Sequence, residues 1–317
     1  MTTAFDIVEV ADKKTLNDFI RAPAAAQGQD PNWVAPLELM KKEDFSPKHP
    51  YFQHAQWQPF VAYQDGKPVG RISAQIDQLY HEHHDASTGF FGLIEGINEP
   101  ELFQSLTEAA EYWLRDRGMN RILGPFNLGI NQEVGLLVDG FDTPPYFLMG
   151  HAQPYYRERL ESLGYKGCQD MLAYLSPPDF ELPKLFARQL RKVEKEAVIR
   201  PLDRSRKDEE LAALRDIFND AWSENWSFVP FTKEEFDAVG NELMYVVPED
   251  MALVAEVDGR AAGFIVMVPN INEVITGMGG KLLPFGWAEL IWKLKVKFPS
   301  TARVPLMGVR KEYHHST

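Results

Sequence analysis

The chain has 317 residues, the length of about two ordinary domains. Lys and Arg number 33 against 46 Asp and Glu, a net charge of −13, so the surface as a whole offers no attraction for a nucleic-acid backbone. Hydrophobic residues are 44% and charged residues 25%, and Cys168 is the single cysteine. This is the composition of a globular protein with no internal disulfide and no cysteine-rich zinc site.

The first residues, MTTAFDIVEV, have no basic n-region and no long apolar run, so no signal peptide is read there. No stretch reaches the roughly 18–20 apolar residues of a membrane helix. A cytoplasmic protein is expected, with neither a membrane nor a nucleic acid as partner. Residues 5–10 read as a strand, and Asp12 as the cap of a helix carrying Leu16, Phe19 and Ile20 on one face. After a Pro/aromatic loop, 60–72 reads Phe-Val-Ala-Tyr-Gln-Asp-Gly-Lys-Pro-Val-Gly-Arg-Ile. Two apolar strands joined by Asp-Gly are a hairpin signature. In 81–85, His-Glu-His-His-Asp, the i, i+2 pair His81 and His83 has a spacing that suits metal on a strand. No third ligand is signalled, and a solvated loop is the plainer reading.

A strand at 89–95 and a helix at 99–117 follow. The helix has Leu102, Phe103, Leu106, Ala109, Ala110, Trp113 and Leu114 in one stripe, and Gly118 ends it. A short strand is predicted at 121–124, a helix at 154–163 and a strand at 170–175, and Cys168 is read as a small, partly buried residue on a strand. Pro177, Pro178 and Pro183 mark a join. Beyond it come a strand (198–202), a helix (208–222), a second hairpin (252–268), a helix (286–297) and a strand (303–309). In the second hairpin Val254, Ala255, Asp258, Gly259, Gly263 and Ile265 repeat Val61, Ala62, Asp65, Gly66, Gly70 and Ile72 at one offset of 193. Two hairpins in one register, each preceded by a helical pattern, predict two similarly built domains with their hairpins in separate sheets.

This order resembles the acyl-CoA N-acyltransferase fold of the GNAT superfamily in a two-copy arrangement. At 308–317, Gly-Val-Arg-Lys-Glu-Tyr-His-His-Ser-Thr, the superfamily's central-strand pattern is matched at Val309, Glu312 and Tyr313. His314 stands where Arg or Gln is usual, and Thr317 where the first Gly of the phosphate loop is usual. Asp-Pro-Asn-Trp-Val (30–34), Gly-Pro-Phe-Asn (124–127) and Gly-Leu-Leu-Val-Asp-Gly-Phe-Asp-Thr-Pro-Pro (135–145) also look like a group of two-domain GNAT-like bacterial proteins. The resemblance implies an α/β fold, a mixed sheet with flanking helices, in tandem GNAT-like domains at 1–178 and 179–317. The second would be incomplete, ending at its central strand.

It further implies an acyltransferase using acetyl-CoA or another acyl-CoA, moving the acyl group to a small amine or aminoacyl acceptor. Gly308, Val309, Arg310, Tyr313 and His314 would hold the cofactor and Glu312 would be the catalytic carboxylate; its plainer reading is a solvated charge at a strand end. In the first half, Glu99 and Glu101 occupy the helix start that would otherwise face a pyrophosphate, so no phosphate is expected there. Asn127, Asn131, Gln132 and Glu133 either line a polar groove for substrate or simply make turns. Trp222, Asn225, Trp226 and Phe228 either wall an acceptor groove or pack as ordinary core and loop. The rival is a non-catalytic tandem binding or scaffold protein. The chain to Thr317 is expected to bind acetyl-CoA weakly or not at all and to be inactive alone.

Overall fold

The computed structural model describes residues 5–177, 179–282, 286–296 and 298–314. The chain divides into two compact units. One comprises Met1–Cys168 with Asn270–Ser300, the other Gln169–Pro269 with Thr301–Thr317.

In the first unit β1 (Asp6–Glu9) leads into α1 (Lys13–Arg21), α2 (Pro23–Gln27) and α3 (Glu38–Asp44). Asp12 and Thr15 cap α1 reciprocally, each side chain meeting the other's backbone N–H. The hairpin β2 (Ala55–Gln64) and β3 (Lys67–Asp77) comes next, then α4 (Gln78–His83), β4 (Thr88–Gly96), α5 (Pro100–Asp116) and β5 (Arg121–Leu123). The sheet order is β1-β2-β3-β4-β5. It is antiparallel throughout except for the parallel pair β4 and β5. The two-residue strands β6 (Phe126–Asn127) and β7 (Glu133–Val134) form a small ribbon, and α6 (Tyr155–Ser162) follows. The predicted stripe of α5 is the unit's core: Leu102, Phe103, Leu106, Ala110 and Leu114 are buried with Ile72, Ala74 and Ile94 of the sheet.

The second unit contains α7 (Lys184–Glu196), β8 (Ala197–Pro201), α8 (Lys207–Trp222), α9 (Lys233–Val246) and the hairpin β9 (Ala252–Val257) and β10 (Arg260–Pro269). The chain then leaves for α10 (Asn272–Ile275) and α11 (Gly286–Val296), and returns as β11 (Ala302–Val309). The order is β11-β10-β9-β8, all antiparallel.

The two hairpins are built alike, in separate sheets. Asp65 and Gly66 have φ of 50° and 74°, Asp258 and Gly259 of 51° and 76°. This is the left-handed pair a two-residue turn requires. Both ladders slip beside the repeated strand glycine, Gly70 and Gly263. A Cβ on Gly70 would lie 2.9 Å from the Glu95 carbonyl oxygen, and one on Gly263 3.0 Å from that of Gly308. Strand, helix and hairpin follow one another in both units, which is the repeated arrangement the sequence predicts. Around Gly66 and Gly259 there is open space, so Gly66→Ala and Gly259→Ala should each cost only backbone strain, about 1 kcal/mol. Chemical denaturation of the two variants checks this.

Three expectations change. Residues 170–175 have no regular structure; Leu172, Tyr174 and Leu175 are exposed there, and no strand offers them a ladder. Cys168 is likewise exposed and not on a strand. His81 and His83 lie on α4, not on a strand, and the His81 ring bonds the Thr88 carbonyl oxygen at 2.8 Å. A division at 178 also differs from the compact units, because 270–300 packs with the first. The Asn272 side chain donates to the Pro145 carbonyl (2.8 Å), Asn270 accepts from the Phe147 N–H (3.0 Å) and Glu38 N–H donates to the Gly280 carbonyl (2.9 Å). No helix among the described residues is long and apolar enough to cross a membrane.

Candidate functional site

Strand β4 is almost wholly apolar, Thr-Gly-Phe-Phe-Gly-Leu-Ile-Glu-Gly, and carries one charge, Glu95. Strand β3 likewise carries Arg71 inside an apolar run, and the two stand directly opposite each other in the ladder. Between this pair and the next, Ser73 opposite Gly92, two residues of β4 face one of β3. That is a bulge, and Leu93 within it has φ +51°. The bulge turns the Leu93 N–H out of the ladder, where the Asn127 side-chain oxygen accepts it at 2.7 Å.

Glu95 is surrounded by donors. Tyr156 Oη donates to its Oε2 at 2.6 Å and Gln27 Nε2 at 3.0 Å, while Arg71 Nη2 stands 4.0 Å from Oε1. Behind Gln27, Gln153 donates to Gln27 (2.8 Å) and to Asp30 (3.0 Å), and the His151 ring meets Asp30 at 2.9 Å. Burial raises the Glu95 carboxyl above its ordinary value, and Arg71, Tyr156 and Gln27 offset this only in part. Burial also pushes the Tyr156 phenol well up, reinforced by the neighbouring Glu95 charge. At Asp30 burial is outweighed by the bonds from His151, the Asn32 N–H and Gln153, so its value falls.

Arg71 is 7% exposed. Its Nη1 donates to the Phe19 carbonyl (3.2 Å) and its guanidinium lies over the Phe19 ring, but its Nε has no hydrogen-bond partner. A buried guanidinium with a spare donor is costly unless something accepts from it. Lys41, bonded to Asp44 at 2.9 Å, also feels the charges of Glu133 and Arg71. The cluster thus joins cations and carboxylates around one base of raised strength. It sets a carboxyl of raised pKa beside a buried guanidinium with one donor unused.

Two of the predicted substrate residues join its flank. Asn127 donates to Glu133 at 3.2 Å while accepting from Leu93. Asn131 is partly buried in the same loop, and Gln132 accepts from the Gly129 N–H at 2.9 Å. This loop fills the gap beyond the parallel β4–β5 pair: Gln75, fully buried, donates to the carbonyls of Phe126 (2.6 Å) and Leu128 (3.0 Å). Asn127→Ala leaves the Leu93 N–H unpaired, and a loss of about 1–3 kcal/mol is expected in chemical denaturation.

The other predicted residues lie in the second unit. Gly308 faces Phe264 in the ladder, as Glu95 faces Arg71 in the first sheet, so the charged pair has an apolar counterpart here. Val309 is half-exposed at the strand's end. Arg310 pairs with Asp216 at 2.7 Å and donates to the Ala261 carbonyl at 3.0 Å. Glu312 is half-exposed and pairs with Arg260 at 3.0 Å. The His314 ring bonds the Val309 carbonyl at 2.8 Å. The backbone N–H groups of Arg310, Lys311, Tyr313 and His314 go to Ala262, the Asp220 carboxylate, Arg310 and Lys311. These four N–H groups are thus occupied and do not fit the pyrophosphate of a CoA thioester as they stand. Trp222 stacks on Phe218 and donates to the Met307 carbonyl at 2.7 Å; Asn225 and Trp226 lie in the exposed turn after α8. Glu95, Arg71, Gln27 and Tyr156 carry no site motif in the sequence, although Arg71 falls within the first predicted hairpin and Glu95 ends a predicted strand. The signal that the sequence offers is a lone charge within each of two apolar strands.

No protein-family model matches the chain. It is 47% identical over 306 residues to protein YghO of Escherichia coli (strain K12), covering 96% of this chain and 78% of that one. It is 45% identical over 313 residues to the bacterial ceramide synthase of Caulobacter vibrioides (strain NA1000 / CB15N), covering 98% and 82%. Similar solved structures include a tandem GNAT protein from the clavulanic acid biosynthesis pathway, at 13% identity and a TM-score of 0.48 over 98% of this chain and 81% of that one. Another is an aminoglycoside N-acetyltransferase in complex with CoA, at 14% identity and a TM-score of 0.34 over 56% and 97%.

Proposed function

Because the chain belongs to the family of YghO and the bacterial ceramide synthase, we propose that it is an N-acyltransferase acting on a long-chain amine. The observation that carries this is the 45% identity to the ceramide synthase along 98% of the chain. A ceramide is the amide of a fatty acid with a long-chain amino alcohol. Making it from an acyl thioester forms one C–N bond and breaks one C–S bond. The amine must lose a proton as it attacks, and the departing thiolate must gain one.

Glu95 is the group suited to take the amine's proton. A carboxylate whose pKa burial raises is a stronger base than an exposed one, because burial disfavours its charged form and so favours its taking up a proton. Tyr156 and Gln27 fix its orientation. Arg71, with a donor to spare, supplies a partner for the acceptor's hydroxyl or for the oxygen on which charge develops. The donor is read as an acyl thioester, of CoA or another carrier, and no step runs through a phosphate grip.

Thiol release from an acyl thioester, followed with and without added long-chain amine, tests this reading. Release that requires the amine is expected; release indifferent to it, or none with any amine, contradicts it. The rival is a tandem binding protein without chemistry, favoured by the occupied N–H groups of Arg310, Lys311, Tyr313 and His314. It predicts that the amine binds and no amide forms.

A further inference from the structure

A side-chain amide donates from its nitrogen and accepts at its oxygen, and a half-turn exchanges the two ends. The end that Gln27 shows to Glu95 therefore decides which form of the carboxyl it favours. A donated N–H favours the charged form; an offered oxygen favours the protonated one. Gln27 lies on α2 and is fully buried. Nothing within its own side chain fixes the choice.

Asp30 fixes it. Its lowered pKa keeps it a carboxylate near neutral pH, and a carboxylate only accepts. The Asn32 N–H holds one of its oxygens at 2.8 Å. The other takes the His151 ring at 2.9 Å and Gln153 Nε2 at 3.0 Å. The end of Gln153 that faces Asp30 must then be its nitrogen. That same nitrogen stands 2.8 Å from Gln27, which has to meet it with oxygen. The Gln27 nitrogen is the end left for Glu95, and it donates there at 3.0 Å. The backbone ties the parts together. Asp30 N–H donates to the Gln27 carbonyl at 2.8 Å, and Tyr156 N–H to the Gln153 carbonyl at 3.1 Å.

We propose that Asp30 is a positioning residue for Glu95: through Gln153 it holds the Gln27 amide with its N–H, and not its C=O, against the carboxylate. This rests on the reading of Glu95 as the base and adds what keeps that base ready to ionise in a buried place. An amide released from Asp30 could turn and accept from a protonated Glu95, so it would serve both forms; the held amide serves only the charged one. The other charged or titratable groups around Glu95 are Arg71 of β3, Tyr155 and Tyr156 of α6, and His151 in the loop before α6. Arg71 and a protonated His151 favour the carboxylate, and Tyr156 donates to it whichever way Gln27 turns. Among these contacts the Gln27 amide is the one that Asp30 can reverse.

The test follows the Glu95 carboxyl by NMR in the full chain labelled with carboxyl-carbon-13 glutamate, its signal being the one lost in Glu95→Gln. In Asp30→Asn the midpoint should rise by about one pH unit, the worth of one hydrogen bond to a charged group, and the acid limb of kcat/KM should rise with it. Gln153→Leu cuts the connection without touching Asp30 and should give the same rise, which keeps the test available if Asp30→Asn fails to fold. In a Gln27→Met background, adding Asp30→Asn should move the midpoint no further. His151→Gln keeps a donor for Asp30 and removes the ring's charge, so it should move the midpoint less than Asp30→Asn does. An unmoved midpoint in Asp30→Asn and Gln153→Leu overturns the proposal, as does a shift that persists without Gln27 or one that His151→Gln reproduces in full. A midpoint that moves as stated, with acyl transfer unaffected by Glu95→Gln, keeps the positioning role and removes Glu95 as the base. Transfer lost in Glu95→Gln, with a midpoint indifferent to Asp30 and Gln153, does the reverse.

Discussion

Gly92→Ala is expected to abolish the fold of the first unit or come close to it. The new Cβ would sit 1.7 Å from the Phe126 carbonyl oxygen and 2.6 Å from its carbon. Both contacts are backbone, so no rotamer relieves them. Ordinary overpacking costs about 1–3 kcal/mol because side chains can shift. Here the 126–128 loop must come away from β4. It would take with it both Gln75 bonds, at 2.6 and 3.0 Å, and the Asn127 bond to the Leu93 N–H. Three buried hydrogen bonds left unmade, at about 1–3 kcal/mol each, approach the whole stability of a domain. Melting of Gly92→Ala beside Gly66→Ala checks this. Equal shifts in the two variants would show that the loop does not fill the gap as described.

Glu95→Gln is expected to lower the rate of acyl transfer about 10²–10⁴-fold, the range for loss of a general base, while the protein still melts cooperatively. The glutamine oxygen can still accept from Tyr156 and Gln27, so the site keeps its shape. The pH profile carries the sign. Glu95 works deprotonated and its folded pKa is raised, so wild-type kcat/KM should climb with pH through a value above the ordinary glutamate range. That limb should vanish in the variant. The same raised pKa means that the group's favourable contribution to stability is present below its unfolded value, near 4.3, and is lost as pH rises through the folded one. A variant with wild-type rate and an unchanged acid limb would remove Glu95 from the chemistry.

The parts of the fold set by neighbouring residues are legible in the amino-acid sequence. Asp65-Gly66 and Asp258-Gly259 demand positive φ, and the stripe of α5 can pack only one way round. The α9 helix is harder to read, although Thr232 and Glu235 form a capping box at its start. Its apolar residues, Phe236, Val239 and Leu243, are sparse, and Gly240 interrupts them. The placing of 270–300 with the first unit is hidden for a different reason. An amphipathic pattern says that a face will be covered, not by which sheet. The candidate base is hidden for the same cause. Glu95 and Arg71 lie 24 positions apart, and only the register of β3 against β4 sets one opposite the other. Asn127 and Glu133 come together more simply, as partners across one short ribbon six positions apart. In the second sheet Phe264 and Gly308 take the corresponding places, so the repeat itself conceals that one copy carries charge.

The most direct test of the account is the acceptor. The full chain is incubated with a labelled long-chain acyl thioester and, in parallel, a long-chain amino alcohol, a small polar amine and an aminoacyl ester, and the amides are identified by mass spectrometry. The account predicts labelled amide from the long-chain amino alcohol, at least tenfold above either other acceptor, and its loss in Glu95→Gln. Amide formed equally well on the small polar amine, or undiminished in Glu95→Gln, would contradict it.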